Sequence, residues 1–280
     1  MPALAPQAAF SGAAHGRPPG EGQAFRRLHE RPLDEPDLPV LYLAGVRLRG
    51  QDLIAAAGLD AQGCRHALGV QPGSSAHAAS VRSLLQGLLR RGLPAGRPRL
   101  LVVDACAALS RGVEEAFGAG LPLQRCRMCE PQRVCCRLPK KLAAEVRSEM
   151  GQAYRLPYRK GAALLRQRAE WLRLRHPGAA QSLREGLEQS LTINRLGLPS
   201  RLRLCLGSTR VLHRALREVK PARRKPLPAD LAAARAALLL LEAQGRFRRI
   251  PGWRDLWMLE ASLQEARPPH PDPLESARNR

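Results

Sequence analysis

Short apolar runs separated by turn residues follow the Pro- and Gly-rich start of the chain. Three such runs cover residues 39–48, 52–59 and 64–70, and the gaps between them contain Gly50 and Gly63. Apolar runs of this length, bounded by turn residues, are typical of β-strands joined by tight turns. The pattern predicts an antiparallel meander of three strands.

A helical periodicity comes next, and two further short strands follow it. Apolar residues recur at i, i+3, i+4, i+7 and i+8 within 76–91, which predicts a helix with one face in the core. The Leu- and Val-rich run 100–103 predicts a buried strand, and Asp104 directly follows it. A helical segment and a strand at 121–126 complete this part. Asp104 therefore falls at the carboxyl end of a strand, where open α/β sheets present their ligand-binding groups.

The rest of the chain has a helical pattern. Helices are predicted at 139–151, 158–175, 179–192, 199–206, 209–219 and 228–246. A last short helix carries Trp253 and Trp257, and Trp at helical spacing is more often part of a core than of a site.

These patterns predict an α/β fold in five parts. The parts are a disordered leader (1–36), the first part of the core (37–138), a helical insertion (139–206), returning C-terminal core helices (207–264) and a disordered tail (265–280). Three strands, a helix, a strand, a helix and a strand follow each other in the order of a ribonuclease-H-like core. In such a core one acidic residue lies on the first strand and another at the end of the fourth.

The charge balance favours a polyanionic partner, and nucleic acid is the first candidate. The chain has 46 Lys and Arg against 24 Asp and Glu, for a formal net charge of +22. Only five of the basic residues are Lys, and Ala, Pro and Gly are abundant, so a GC-rich coding sequence is an alternative source of the arginines. No secretory signal or membrane span is recognisable. We therefore expect a cytoplasmic protein, associated with the nucleoid where it binds DNA.

Four of the seven cysteines lie between residues 126 and 136. They could suggest a zinc site, but the adjacent Cys135 and Cys136 would strain a tetrahedral arrangement of all four thiolates. In a reducing cytoplasm, buried free thiols are the favoured interpretation, with metal binding as the alternative.

Several segments of the chain resemble one known family. The segment VVDACAALSRGVEEAFGAGLPLQRCRMC, residues 102–129, is similar to the strand–Asp–helix–QRC signature of mutator-type bacterial insertion-sequence transposases. Four more blocks occur in that family's order: HALGVQPGSS, LLQGLLRRGL, SLREGLEQSLTINRLGLP and RFRRIPGWRDL. The resemblance extends from about Phe25 to Leu263.

The resemblance implies a DDE enzyme that cleaves DNA and transfers strands. Three carboxylates on a ribonuclease-H-like fold hold two divalent ions, Mg²⁺ or Mn²⁺, at the scissile phosphate. Asp104 matches the second carboxylate and is the predicted catalytic and metal-binding residue. The first Asp of the family stands in a Y-L-D-G context, where this chain has Ala44. The Glu stands in a T-N-x-I-E context, where this chain has His213.

The loss of two metal ligands predicts a copy that binds no metal productively and does not transfer strands. Glu185 is the nearest family-matched carboxylate, and we interpret it as structural within the insertion. Cys129 stands where the family's Cys-x-x-His motif has histidine, and Cys126 keeps the motif's cysteine. The family also carries a helical DNA-binding domain ahead of its core, so we expect recognition of terminal repeats to be weakened here.

Double-stranded DNA is nevertheless the predicted partner. The residues predicted to bind it are Arg210, Arg217, Lys220, Arg223, Arg224 and Lys225. The expected function is that of a transposase-family protein, degenerate and inactive, with residual nonspecific DNA binding. The alternatives are a non-catalytic DNA-binding module, an inhibitor that forms mixed oligomers with an intact transposase, and a live nuclease that uses Glu185 or another carboxylate. A homo-oligomer is also possible on the sequence.

Overall fold

A five-stranded mixed sheet forms the centre of the molecule. The computed structural model describes residues 20–118, 120–217 and 225–265. The strands are β1 (Val40–Leu48), β2 (Gln51–Leu59), β3 (Arg65–Pro72), β4 (Leu100–Val103) and β5 (Leu123–Arg125). Their spatial order is β3-β2-β1-β4-β5. The first three form the predicted antiparallel meander, and β4 and β5 continue the sheet parallel to β1.

The register of β1 and β4 determines which residues meet at the carboxyl edge of the sheet. The parallel pairing begins with Val40 opposite Leu100 and ends with Leu43 opposite Val103. One residue further along, Ala44 and Asp104 follow on the two neighbouring strands. Because successive side chains alternate between the faces of a sheet, these two positions share a face.

Helices cover both faces of the sheet. In chain order they are α1 (Glu21–Glu30), α2 (Ala78–Arg90), α3 (Ala107–Phe117), α4 (Cys129–Cys135), α5 (Lys140–Ala153), α6 (Tyr158–Leu172), α7 (Pro177–Ser190), α8 (Thr192–Arg195), α9 (Ser200–Leu206), α10 (Arg210–Ala215), α11 (Ala229–Gln244) and α12 (Leu256–Glu265). A short 3-10 helix, Trp253–Asp255, precedes α12.

Two apolar cores lie on opposite sides of the sheet because β1 and β4 are buried on both faces. Tyr42 and Ala44 of β1 pack into a core with the apolar residues of α10, α11 and α12. Leu41 and Leu43, which alternate with them, pack into a second core with α2 and α3. The result is a helix–sheet–helix sandwich.

The helical insertion has a core of its own, built by apolar residues of α4, α5, α6 and α7. Buried hydrogen bonds connect it to β5. The Thr192 hydroxyl donates to the Leu123 carbonyl at 2.7 Å, and the Gln124 side-chain amide donates to the Ser190 carbonyl at 2.8 Å. The insertion is thereby fixed to the edge strand beside Asp104.

Most predicted elements are present, with bounds that differ by a few residues, and the α/β class is confirmed. The main correction concerns the leader. Residues 21–30, expected to be disordered, form α1, which buries Ala24 and Leu28. Its partner α11 follows almost two hundred residues later, so a local sequence pattern could not reveal the contact. The predicted tail beyond Glu265 and residues 1–19 lie outside the described residues.

Helices α4 and α8 were not predicted, because each is too short to show a helical period. Among the described helices, none is both long and apolar enough to cross a membrane.

Candidate functional site

Asp104 is held at the end of β4 by the neighbouring strand. Its backbone N–H donates to the Leu43 carbonyl at 3.2 Å, which continues the parallel ladder by one bond. Its side chain turns toward β1, where the Gly45 N–H donates to Oδ2 at 3.1 Å. The Asp104 side chain is only 13% exposed. The carboxylate is therefore fixed by main-chain groups of the first strand.

Ala44 lies between the two β1 residues that hold Asp104. It is fully buried and packs into the core beneath α10. A carboxylate at position 44 would start from the strand next to Asp104 and on the same face of the sheet. The methyl group present there supplies no ligand atom.

Helix α10 brings two more side chains to Asp104. Thr209, at the N-cap of α10, is fully buried, and its hydroxyl donates to Asp104 Oδ1 instead of capping the helix. One turn later, His213 Nε2 lies 3.2 Å from Oδ1 and 3.1 Å from Oδ2. Positions 44, 104 and 213, which the resemblance aligns with three carboxylates, thus lie together.

The Asp104 carboxylate favours the charged form of the His213 imidazole. The hydrogen bond to Asp104 raises the pKa of His213, although burial opposes this shift. When His213 is protonated, its ring places a positive charge next to the Asp104 carboxylate.

Two cysteines complete the surroundings of Asp104. The Cys129 thiol, at the first residue of α4, donates to Asp104 Oδ1 at 3.3 Å. Cys126 is fully buried in the preceding loop. The contact between the two thiols separates their pKa values, lowering that of Cys126 and raising that of Cys129. Sequence reasoning did not connect these thiols with Asp104, although the Cys-x-x-Cys spacing after β5 is the signal for their position.

The other two clustered cysteines have separate surroundings. Cys135 is buried, and its thiol donates to the Ala143 carbonyl. Cys136 is exposed, and its thiol donates to the Arg133 carbonyl. The adjacent pair therefore engages main-chain carbonyls of α5 and α4.

Glu185 lies on α7 in an ion pair with Arg133 of α4, at 2.7 Å. Its hydrogen bond from Arg133 lowers the pKa of Glu185. Among the described residues, the one group of His, Cys, Asp or Glu that could hold a metal consists of Asp104, Cys129 and His213. Glu185 is not a member of that group.

An arginine-lined cleft of about 830 Å³ lies on the other side of α10. Seven arginines line it, with Glu242 as the acidic residue in its wall: Arg65, Arg210, Arg214, Arg217, Arg235, Arg246 and Arg248. Tyr42 forms part of the cleft, and burial raises the pKa of its hydroxyl to about 12. Helix α10 thus contributes His213 to the Asp104 site and Arg210 and Arg214 to the cleft.

The residues predicted to bind DNA are only partly accounted for. Arg210 and Arg217 line the cleft. Lys225 lies next to the β1–β2 turn, where its carbonyl accepts a hydrogen bond from Arg49 at 3.2 Å. Lys220, Arg223 and Arg224 lie outside the described residues.

Five cleft arginines were not predicted from the sequence alone, and three of them carried a signal. Arg214 follows Arg210 by four residues on one helix face. Arg246 and Arg248 lie in the RFRR segment, which had been used only to identify the family. Arg65 and Arg235 join them through the tertiary fold.

A comparison with known proteins gives the family of this chain. The sequence model of a family described as "Transposase, Mutator family" matches residues 22–247, which is most of the chain. The chain belongs to the mutator family of transposases. The predicted family is thereby confirmed.

A relative of this mutator-family chain is described as the transposase for insertion sequence element IS406 from Burkholderia multivorans. The two are 29% identical over 228 residues, which cover 78% of this chain and 57% of the relative. The chain therefore matches little more than half the length of that transposase.

Proposed function

We propose that this chain is a transposase-family protein that binds double-stranded DNA through the arginine-lined cleft and does not transfer strands. The family name refers to DNA transposition, and the relative is described as a transposase. The observation that carries the proposal is the pairing of a basic cleft with a site that contains one carboxylate. The cleft can therefore bind DNA although the Asp104 site does not catalyse strand transfer.

The sheet supports a ribonuclease-H-like core. Three antiparallel strands are followed by two parallel ones in the order β3-β2-β1-β4-β5. Asp104 at the end of the fourth strand and Ala44 on the first then occupy the acidic positions of such a core. The strand order and the positions of Ala44 and Asp104 therefore agree with the core that the resemblance implies.

The cleft suits a phosphate backbone better than a small neutral ligand. Guanidinium groups bind phosphate oxygens through paired, charge-assisted hydrogen bonds. Arg235 pairs with Glu21 at 3.1 Å, and the other six arginines still leave a positive surplus against Glu242 in the cleft. Since its walls present mainly charge, we expect binding with little sequence preference.

The Asp104 site does not suit a pair of Mg²⁺ ions. Magnesium prefers oxygen ligands, and two ions at a scissile phosphate need several carboxylates. Here Asp104 is joined by a thiol and an imidazole, and position 44 contributes a methyl group. Both Asp104 oxygens also accept hydrogen bonds from Gly45, Thr209, Cys129 or His213. These features support the absence of two-metal catalysis.

The alternative of a live nuclease that uses Glu185 lacks support, since that carboxylate pairs with Arg133. That the chain associates with itself, or forms mixed oligomers with an intact transposase, remains a prediction from the sequence.

Two assays on the full chain test the proposal. We expect fluorescence anisotropy to show binding of a labelled DNA duplex at low salt that weakens steeply as salt is raised. We also expect supercoiled plasmid to stay intact with Mg²⁺ or Mn²⁺. Lack of DNA retention at low salt would overturn the binding proposal. Nicking that Asp104→Asn abolishes would overturn the proposed inactivity.

A further inference from the structure

Three different metal-ligating atoms converge on one point beside the sheet. They are a carboxylate oxygen of Asp104, the Cys129 Sγ and a ring nitrogen of His213, and all three lie within 4.8 Å of one another. Each residue is partly buried, and each comes from a different element of the fold. Three partly buried donors that come from the end of β4, from α4 and from α10 are held in place by the packing of these elements, unlike residues that meet by chance on a surface.

Two of the three separations between these donors are close to the edges of a metal-centred tetrahedron. Cys129 Sγ lies 3.3 Å from Asp104 Oδ1, and His213 Nε2 lies 3.1 Å from Oδ2. A tetrahedral zinc ion, with bonds of about 2.3 Å to sulfur and about 2.0 Å to nitrogen or oxygen, spaces its donors roughly 3.3–3.5 Å apart. The hydrogen bonds therefore hold the side chains near the geometry that a metal ion would require.

The chemistry of the donors selects the ion. One thiolate, one imidazole and one carboxylate are all usual zinc ligands, whereas magnesium rarely accepts sulfur or nitrogen. We propose that Asp104, Cys129 and His213 form a three-ligand site for Zn²⁺. The ion would displace two protons: the thiol proton that Cys129 shares with Asp104, and the Nε2 proton of His213.

Neighbouring groups orient these ligands. Thr209 and the Gly45 N–H hold the Asp104 carboxylate in place, as outer-shell partners of metal ligands commonly do. The fourth position of the tetrahedron is left for water, and Cys126, whose thiol contacts Cys129, is not a member of the three-ligand group. The site does not involve Cys135 or Cys136, which engage other groups.

Metal content and a cobalt spectrum test this site without reference to DNA or activity. The full chain, loaded with Zn²⁺ and dialysed, should retain one equivalent of zinc by elemental analysis. Replacement by Co²⁺ should give a thiolate-to-cobalt charge-transfer band and the intense visible bands of tetrahedral coordination.

Three variants should give a graded loss. Cys129→Ser and His213→Ala should each weaken Zn²⁺ binding by more than about 100-fold, since loss of an outer-shell partner alone costs roughly 10- to 100-fold. Thr209→Val should fall within that smaller range. Cys129→Ser should also abolish the charge-transfer band. Cys136→Ser and His77→Gln, which change exposed residues away from the site, should bind as the unaltered chain does.

A donor exchange keeps the proposal testable if a single variant fails to fold. The double variant Ala44→Asp, His213→Glu should lose preference for Zn²⁺ and gain binding of Mn²⁺, because its ligands would be mainly oxygens. The proposal is overturned if Cys129→Ser retains the zinc and the cobalt band, or if Cys136→Ser loses them. Less than a stoichiometric amount of zinc in the unaltered chain would also overturn it. None of these outcomes depends on whether the cleft binds DNA.

Discussion

His213 Nε2 lies 3.1 Å from Asp104 Oδ2 and 3.2 Å from Oδ1, so one imidazole faces both oxygens of the carboxylate. A glutamate at position 213 would bring a second negative charge to the same place. Two facing carboxylates repel each other unless a cation lies between them. In the absence of a metal ion, the protonated ring of His213 supplies the positive charge beside Asp104, and a bound Zn²⁺ would take over that role.

On the proposed function, carboxylates at positions 44 and 213 should give metal-dependent cleavage. The double variant Ala44→Asp, His213→Glu would place three carboxylates around one point, which is what two divalent ions require. We expect it to nick supercoiled plasmid with Mn²⁺, while the unaltered chain leaves it intact. Adding Asp104→Asn should remove the nicking. A folded double variant that binds Mn²⁺ and DNA but does not nick would show that more than these two positions has been lost.

The cleft arginines should determine how DNA binding depends on salt. Each phosphate contact contributes about 0.9 to the slope of log K against log salt. Arg210→Ala and Arg214→Ala should each reduce that slope by about that amount and weaken binding to all sequences alike. Arg175→Ala, an exposed arginine at the end of the α6 segment, is the control and should leave the slope unchanged. Equal effects of all three changes would place DNA elsewhere on the basic surface.

The Thr209 hydroxyl should stabilise the fold more than an otherwise similar buried hydroxyl. Thr209 donates to the charged Asp104, whereas Thr192 donates to the neutral Leu123 carbonyl, and both residues are buried. Hydrogen bonds to charged groups contribute about 1.5–3 kcal/mol and neutral ones about 0.5–1.5 kcal/mol. We expect Thr209→Val to lower the free energy of unfolding more than Thr192→Val does in urea titrations. The reverse order would contradict a stronger hydrogen bond from Thr209 to the carboxylate.

The free energy of unfolding should decrease as the pH is lowered, because of His29 in α1. Its ring nitrogens lie 2.9 Å from the carbonyl oxygens of Phe25 and Val70. Burial lowers the pKa of His29 below its ordinary value, and the positive charge of Arg91 adds to this shift. The unfolded chain therefore binds a proton that the folded chain resists. The stabilisation is complete above about pH 6.5 and is lost as pH falls through that value toward the lower folded pKa.

Unfolding free energies measured between about pH 7.5 and pH 5 check this sign. The decline should be shallower in His29→Gln than in the unaltered chain. His77→Gln, which changes an exposed histidine, should keep the full decline. An unchanged slope in His29→Gln would mean that other groups cause it.

Two glycines in the insertion should respond oppositely to alanine. A Cβ at Gly161 would lie 2.5 Å from the Ala153 carbonyl oxygen, a backbone atom that cannot move aside. A Cβ at Gly151 would meet nothing within 4 Å. We expect Gly161→Ala to destabilise the protein by about 1–3 kcal/mol and Gly151→Ala to stabilise it by up to about 1 kcal/mol. Urea midpoints at constant m-value give both numbers, and a stabilising Gly161→Ala would contradict the close packing of α6 on α5.

Periodic patterns predicted the strands and the longer helices because burial fixes their repeats locally. The run 100–103 has four buried residues, so β4 was predicted with its observed bounds. Helix α1 was missed because its stability comes from α11 and β3, far along the chain. Its apolar residues Ala24, Phe25 and Leu28 do follow a helical spacing, but the segment is short and mainly polar and continues the Pro- and Gly-rich leader. The local pattern was present, and only the distant partners that bury it could not be predicted.

The site was predicted as far as the family motif extends. Asp104, Ala44 and His213 were named from the resemblance, and the fold brings their positions together. The roles of Thr209 and Cys129 were not predicted, because a hydrogen bond to a carboxylate leaves no sequence pattern. Their contacts exist only once α4 and α10 pack on the sheet.

The pairing of β1 with β4 has a consequence for how such a protein can change over evolutionary time. Main-chain hydrogen bonds set this register, with Leu43 opposite Val103. These bonds do not depend on which side chains stand at positions 44 and 213. Drift can therefore erase the ligands while the scaffold that arranged them persists. On the proposed function, two substitutions, at positions 44 and 213, separate this scaffold from a full set of carboxylates, and the same two changes would reverse the loss.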